Sequence, residues 1–299
     1  MRLPLTLALL PFSVQAINII SSNDDGWAEI NIRQLYDSLT AAGHSVVISA
    51  PAENESGTGS NDGTPSVLTS PCEFNSCPTG SPAYGQNSTE PRFNYVNSYP
   101  VTAIKYGINT LASTFFDAST PDLAVAGPNV GSNLGLGVFF SGTVGAATYA
   151  ANTAGIPAIA FSGATGSQTA WDVSSVPVYS TVYAELARKV TDQLIAAGTP
   201  YLPENVWLNV NFGKVSDSSC ATADDFTFVL SRIHAAVPLI TAEDVETCGS
   251  TRLPTETKVV GSDGCFASVS VGMAGDKLDA DATVQGVVLE KLADLLTCL

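Results

Sequence analysis

Ile19-Ile20-Ser21-Ser22-Asn23-Asp24-Asp25-Gly26 is the stretch on which the reading of this chain turns. An apolar run leads straight into two adjacent carboxylates and a glycine. Behind them Ile32, Leu35, Tyr36 and Leu39 recur at helical spacing, and Gly43 closes the helix. The pattern predicts a strand ending at Asp24 and Asp25 and a helix returning from them. In an open α/β sheet, ligands collect at the carboxyl ends of the strands. Two carboxylates there repel each other unless a cation lies between them, and oxygen ligands suit a hard divalent metal. A plainer reading of the same residues is a solvated turn in which an aspartate caps the helix.

Upstream, Met1 to Leu10 is one base followed by an apolar run, and Val14-Gln15-Ala16 is a small-residue cleavage pattern. Residues 1–16 read as a secretory signal peptide, too short to span a membrane. A secreted mature chain of residues 17–299 is therefore expected. The 299 residues, 45% apolar and 13% charged, suffice for one large α/β domain with a C-terminal extension from about residue 213. Lys and Arg number 12 against 28 Asp and Glu, a net charge of −16. Such acidity disfavours nucleic-acid polymers and anionic membranes as partners. A small phosphate ester stays compatible where a metal supplies positive charge locally.

Downstream, Ser45 to Ser49 is a short strand running into Ala50-Pro51. Glu53 to Tyr84 is then a long Gly/Ser/Thr/Asn/Pro loop, a length that is usually functional or disordered. Val101, Ile104, Ile108 and Leu111 form a helical stripe. Leu123 to Ala126 is a small-residue strand feeding the loop Gly127 to Gly135, whose backbone can approach a ligand closely. Ser141-Gly142-Thr143 opens a small-residue helix from Val144 to Ala154. Its start would aim amides and hydroxyls at an anion, or simply be capped by Ser141 or Thr143. Strands follow at Ile156 to Ser162 and Val206 to Asn211, around a helix marked by Tyr183, Leu186, Val190 and Leu194. This alternation predicts a mainly parallel sheet with helices on both faces. Beyond Gly213, strands are expected at Phe226 to Ile233 and Phe266 to Val271, with a closing helix over Val284 to Leu296.

Six cysteines, Cys72, Cys77, Cys220, Cys248, Cys265 and Cys298, fit the oxidising route. Cys72 and Cys77 share one loop and are expected to pair. The other four are expected to be bridged within the C-terminal part, with the connectivity open. No CxxC pair or nearby histidine accompanies them, which argues against zinc. Sequons stand at Asn54-Glu55-Ser56 and Asn87-Ser88-Thr89.

An ordered set of these pieces resembles the SurE family of metal-dependent phosphatases and nucleotidases. It runs through Ser22-Asn23-Asp24-Asp25-Gly26, Ala50-Pro51 with Asn54-Glu55-Ser56-Gly57, Gly127-Pro128-Asn129-Val130-Gly131-Ser132-Asn133-Leu134-Gly135, Ser141-Gly142-Thr143-Val144, Gly155-Ile156-Pro157-Ala158 and Leu208-Asn209-Val210-Asn211. The resemblance covers roughly residues 17–212. It implies a Rossmann-like three-layer α/β/α sandwich, here with a β-rich C-terminal extension and closing helix. It also implies homodimers or larger assemblies built through that extension. The implied ligands of one divalent metal are Asp24, Asp25, Ser56 and Asn129. All are oxygen donors, so Mg²⁺ or Mn²⁺ is expected. The implied phosphate contacts are Asn133, Ser141, Gly142 and Thr143, with Asn23 nearby. After Gly26 this chain has Trp27-Ala28-Glu29-Ile30, where bacterial members carry a small or apolar residue and an Ala-Pro-Gly turn. Trp27 would either floor the substrate pocket or pack on the sheet. The signal peptide and cysteines look like a secreted, fungal-type branch, nearer an acid phosphatase than a cytoplasmic nucleotidase.

The expected reaction is hydrolysis of a small phosphomonoester by a metal-activated water, with Asp24 and Asp25 as the catalytic carboxylates. Attack by Asp24 itself stays open. One rival is a non-catalytic secreted protein that binds phosphate or metal. Another is a serine hydrolase using Ser141, for which only His44 and His234 could act as base. His44 precedes a strand on the side away from the carboxyl ends and reads as a surface or helix-end histidine. A haloacid-dehalogenase scheme is disfavoured, because Asp24 and Asp25 are adjacent. A glycan on Asn54 would obstruct Ser56. A glycopeptide map should therefore show Asn54 unmodified, and full occupancy there would contradict the ligand set.

Overall fold

The computed structural model describes residues 15–117 and 119–299. The expected signal peptide falls almost wholly on residues 1–14, outside the described residues. The first strand, β1 (Asn18–Ser22), is followed by α1 (Ile30–Ala41) and β2 (Ser45–Pro51). After the long loop come β3 (Tyr84–Gln86), β4 (Phe93–Val96), α2 (Pro100–Tyr106) and α3 (Ala112–Phe115), the two helices joined by a π-helical segment at Gly107–Leu111. Then β5 (Leu123–Val130), α4 (Gly142–Asn152), β6 (Ala158–Gly163), α5 (Val178–Ala196) and β7 (Val206–Phe212) complete the alternating part. The remainder holds β8 (Thr227–Ser231), α6 (Glu256–Val260), β9 (Phe266–Met273), α7 (Ala282–Lys291) and β10 (Leu296–Thr297).

All ten strands form one sheet in the order β10-β8-β9-β7-β6-β5-β1-β2-β4-β3. From β4 to β7 every pairing is parallel. The chain leaves β1 toward β2 on one side and returns through β5 on the other. The sheet order therefore reverses at β1 and β5, where doubly wound sheets place their ligands. Successive side chains of β1 point to opposite faces, as strand geometry requires. Ile19 joins a core with Leu35, Leu39, Leu186 and Val190 from α1 and α5. Ile20 joins another with Ile104, Val144 and Ala147 from α2 and α4. These are the two covered faces of a three-layer, Rossmann-like fold.

The second face is built from small side chains. Ala124 and Ala126 of β5, Ala158 and Ala160 of β6, and Ala146, Ala147 and Ala150 of α4 are all fully buried in it. Alanine on alanine brings the helix close to the sheet, so the start of α4 lies directly at the strand ends. Interiors packed this tightly resist added volume, at about 1–3 kcal/mol per extra group.

Beyond Gly213 the chain stays in the same sheet instead of leaving it. β9 pairs antiparallel with β7, and β8 lies parallel to β9 on its far side. The closing helix is shorter than its apolar pattern suggests. It ends at Lys291, and Leu296-Thr297 pairs with Phe228-Val229 as an edge strand. Cys298 next to that strand is bonded to Cys248, and Cys220 to Cys265. Cys72 and Cys77 pair as expected. The two long bridges span 50 and 45 residues and each stabilises by roughly 4 kcal/mol on a chain-entropy account. Three disulfides fit a secreted protein. Among the described residues no helix is long and apolar enough to cross a membrane.

A buried polar knot ties this last part together. Arg232 Nη1 donates to both oxygens of Asp244 at 2.9 and 2.8 Å, and Gln285 of α7 donates to Asp244 Oδ1 at 3.0 Å. The Leu253 N–H donates to Asp244 Oδ2 at 3.1 Å. Arg232 and Asp244 are only 4% and 5% exposed. Removing Asp244 leaves the buried Arg232 charge with only the longer carboxylate contact, to Asp279 at 3.4 Å. Asp244→Ala should lower the unfolding free energy by about 3–5 kcal/mol in urea titrations, with disulfides intact.

Candidate active site

The turn after β1 is set by Asn23. Its Nδ2 donates to the Gly26 carbonyl at 2.9 Å, and its Oδ1 accepts from the Gly26 N–H at 3.2 Å. Gly26 has φ +108°, and a Cβ there would overlap Glu73 Oε2, so only glycine closes this turn. The turn leaves Asp24 and Asp25 side by side, 2% and 0% exposed. Their carboxylates point to different partners. Asp24 Oδ2 accepts from the Gly142 N–H at 2.9 Å and Oδ1 from the Thr143 hydroxyl at 2.5 Å. Asp25 Oδ2 accepts from the Val130 N–H at 2.8 Å and Oδ1 from Gln168 Nε2 at 2.6 Å. The pair is thus clasped between the start of α4 and the end of β5.

The helix start expected to receive phosphate is, in this conformation, engaged by Asp24. Ser141 caps α4, its Oγ accepting from the Val144 N–H at 3.1 Å. The approach is close enough that a Cβ on Gly142 would lie 2.8 Å from both Asp24 Cβ and Pro100 Cγ. Asn133 is likewise engaged. Its N–H donates to Asn211 Oδ1 at 2.8 Å, and its Nδ2 to the Ser162 hydroxyl at 2.9 Å. Its carbonyl accepts from Asn209 and Asn211. The Leu208-Asn209-Val210-Asn211 motif therefore anchors this loop from β7.

Asn129 sits at the end of β5, which runs on through Val130 where a loop was expected. One extra residue on β5 between Ala126 and Asn129 shifts its register against β6, a bulge of the kind that re-aims side chains at sites. Asn129 Nδ2 donates to the Gly131 carbonyl at 2.6 Å, which leaves its Oδ1 without a protein donor among the described residues. Ser56 is exposed on the loop after β2, and its hydroxyl has no protein partner among the described residues. The Glu55 N–H holds that loop to the Asp24 carbonyl at 2.7 Å.

Do these residues fit a divalent cation? Among the described residues no lysine, arginine or histidine forms an ion pair with Asp24 or Asp25, and no group of three His, Cys, Asp or Glu side chains has metal-ligand spacing. Burial raises the Asp24 carboxyl above its ordinary value. Burial, followed by the charge of Asp24, pushes Asp25 up to about 8. Two buried carboxylates with no counter-cation among the described residues, with Asn129 and Ser56 next in sequence to the Val130 and Glu55 N–H groups that bond Asp25 and Asp24, are oxygen donors of the kind a hard divalent ion takes.

Further acids crowd this pair that the sequence did not single out. Glu29, 0% exposed, caps α1 by accepting from the Asn31 N–H, and its Oε1 is an unpartnered buried atom. Burial, then Asp25, raises it well above the carboxylate range. Glu73 comes from the Cys72–Cys77 loop, and burial, then Glu53, pushes it up to about 7. Gln168 arrives from the loop after β6. The extra-loop residues carry no periodicity to flag them. Glu29 alone had a signal, since it stands at the expected helix start.

Trp27 packs and does not floor a pocket. It is 3% exposed, its Nε1 donates to Ser76 of the disulfide loop at 2.9 Å, and its ring lies 5.1 Å from Tyr95. His44 is at the far end of the sheet, as expected. It is buried there instead of on the surface, with Nε2 3.2 Å from Asp192 and Nδ1 accepting from the Ile17 N–H. His234 Nε2 pairs with the Lys277 carbonyl at 3.0 Å. Neither histidine is hydrogen-bonded to Ser141. Among the described residues, five cavities of 320 to 680 Å³ have walls that include neither Asp24 nor Asp25. The pair lies beneath the loop that carries Glu55 and Thr58.

The family model described as survival protein SurE matches residues 19–233. The chain belongs to the SurE family. It is 34% identical over 280 residues to an acid phosphatase of Yarrowia lipolytica, covering 85% of this chain and 78% of that one. It is 30% identical over 202 residues to the 5'-nucleotidase SurE of Lawsonia intracellularis, covering 67% of each. The crystal structure of a SurE protein from Aquifex aeolicus superposes with a TM-score of 0.59 over 86% of this chain and 93% of that chain, at 20% identity. That likeness carries the fold. The SurE match includes every residue of the candidate site, and the fungal relative fits the fungal-type branch expected from the sequence.

Behind the Asn133 loop, Glu256 accepts from the Gly135 N–H at 2.7 Å, Asn209 Nδ2 at 2.9 Å and the Ser270 hydroxyl at 3.1 Å. Burial pushes it up to about 8 from its ordinary 4.5. The folded state therefore holds this proton more tightly than the unfolded chain. The stability it contributes is full below about pH 4.5 and is lost as pH rises through about 8. Melting curves between pH 4.5 and 8 should fall less steeply for Glu256→Gln than for the wild type. Gly142→Ala should push the start of α4 off Asp24, lowering stability by about 1–3 kcal/mol in denaturant titrations.

Proposed function

We propose that this SurE protein is a divalent-metal-dependent phosphatase acting on small phosphomonoesters, with Mg²⁺ or Mn²⁺ as the ion. The observation that carries the reading is the buried Asp24–Asp25 pair, which has no protein cation among the described residues and stands at the point where the sheet order reverses. The names of the relatives, acid phosphatase and 5'-nucleotidase, support it. Asp24, Asp25, Asn129 and Ser56 would hold the metal. When bound, the ion neutralises phosphoryl charge and acidifies water.

The chain's own groups then divide the work. Asp24 is fixed by the α4 start, whose N–H and hydroxyl donors stabilise its negative charge. A carboxylate stabilised in this way is a poor nucleophile, which favours water over Asp24 as the attacking group. Asp25, whose proton affinity burial and the charge of Asp24 raise above the ordinary carboxylate value, orients that water and takes its proton. The phosphoryl group is assigned to the α4 start, where the Ser141 hydroxyl is available to donate and the Gly142 N–H and Thr143 hydroxyl, which here serve Asp24, would turn to the phosphate, with Asn23 and Asn133 alongside. Positioning and charge stabilisation are most of what phosphoryl transfer needs.

Secretion and assembly into homodimers or larger oligomers belong to the same reading. The exposed side chains of Val237, Leu239 and Ile240 in the segment after β8 support self-association there. Hydrolysis of an aryl phosphate by metal-stripped protein, with Mg²⁺, Mn²⁺ or Zn²⁺ added back, tests the function. Mg²⁺ or Mn²⁺ should restore turnover, and Asp25→Asn should reduce it at least about a hundredfold. Near-full activity in that variant, or turnover without any metal, overturns the assignment.

A further inference from the structure

Lys277 lies in the turn between β9 and α7, with its backbone in the left-handed region at φ +59°. Its side chain turns inward and is only 8% exposed as a residue. The ammonium has three hydrogens and one protein acceptor, the Val138 carbonyl at 3.2 Å. Among the described residues no carboxylate lies within 4.0 Å of it. Burial alone draws its pKa down, to about 8, with no neighbouring charge contributing. It therefore remains charged in neutral and acidic solution. In a chain of net charge −16, a buried cation left without an anion is costly and unusual.

Lys277 is one of the residues lining a cavity of about 320 Å³ on the flank of α4. Ser60 and Asn152, which are exposed, and the half-buried Tyr149 line it too, so their hydroxyl and amide groups, which have no protein partner among the described residues, are open to a ligand at its mouth. Asp62, also in the wall, is already held by Lys105 at 2.8 Å and Thr102 at 2.7 Å. The cavity is coupled to the carboxylate site by geometry. The segment Thr58-Gly59-Ser60 runs from one to the other, Thr58 lying against Gly142 and Gly59 against Gly145. From Gly142 to Tyr149 is about 10 Å along the helix, at 1.5 Å per residue.

We infer that this cavity is a second oxyanion site, in which the Lys277 ammonium, with Ser60, Tyr149 and Asn152, receives a phosphate- or carboxylate-class group two helical turns from Asp24. The cavity has room for one such group and its hydration. Two sources share this chemistry: free inorganic phosphate, or a second anionic group on a substrate bound at the carboxylate pair. The site does not depend on turnover and stands apart from the function proposed above.

Calorimetric titration of the full chain with inorganic phosphate tests it, by counting sites. Lys277→Met should remove one site or weaken it at least tenfold, and Lys277→Arg should retain it. Because Lys277→Met deletes a buried charge, it should fold. Asn152→Ala and Tyr149→Phe, which leave that charge in place, should each weaken the same site. A site abolished by Asp25→Asn is the carboxylate site, so its behaviour reports on the proposed function and not on this cavity. A parallel comparison of KM separates the sources. If Lys277→Met raises KM for a sugar bisphosphate at least tenfold more than for an aryl monophosphate, the site takes the substrate's second anion. If it instead weakens only inhibition by free phosphate, the site takes the ion. An unchanged site count in Lys277→Met, Asn152→Ala and Tyr149→Phe overturns the inference.

Discussion

The contact on which the rest of this structure depends is the carboxylate of Asp24 against the first turn of α4. Two hydrogen bonds join them, from the Gly142 N–H and the Thr143 hydroxyl. The positive end of a helix is the natural counterpart of a buried anion that, among the described residues, has no lysine or arginine paired with it. That arrangement works only if the helix starts at the strand ends, and it does so because its buried face is alanine over alanine. The loop after β2 then closes over the pair from above through the Glu55 N–H. Local sequence, sheet packing and site electrostatics thus converge on one junction.

Much of this junction was legible from residues alone. Asp24 and Asp25 were readable because an apolar run stops at them and a 3.6-period stripe begins behind them. The strand running into the glycine-rich segment was readable, but Asn129 itself was named only through the resemblance to the SurE family, and the bulge that makes it part of the strand has no pattern of its own. Other partners were hidden for a physical reason. Gln168 and Glu73 reach the pair from loops, and loops have no period from which a direction could be read. The roles of Gly142 and Thr143 were half visible. A helix start beside a glycine-rich loop announces an anion, but not whether that anion is a ligand or the protein's own carboxylate.

The C-terminal third shows a different limit. Its strands were expected from their alternation, and they are there, but nothing local says that they extend the existing sheet. That follows from β9 pairing with β7 over seven residues, from Val206 with Met273 to Phe212 with Ala267. The apolar run to Leu296 resembles a continuing helix, yet its last residues pair with β8 beside Cys298. A covalent bridge to Cys248 and an open sheet edge together outweigh a local helical preference. Disulfide partners are tertiary information, and with them went the true end of α7.

The alanine seam beneath α4 also has a bearing on how such a protein can diversify. A contact surface made of methyl groups offers almost no smaller replacement and no room for a larger one, so the helix behaves as a fixed rail. Variation is pushed outward, to the disulfide-closed loop that brings in Glu73 and Trp27's partner Ser76, and to the strands added after Gly213. Those peripheral pieces are themselves stapled by three covalent bridges. Novelty in this architecture would therefore come as whole, cross-linked modules set around an unchanging rail, and not as gradual remodelling of the rail itself.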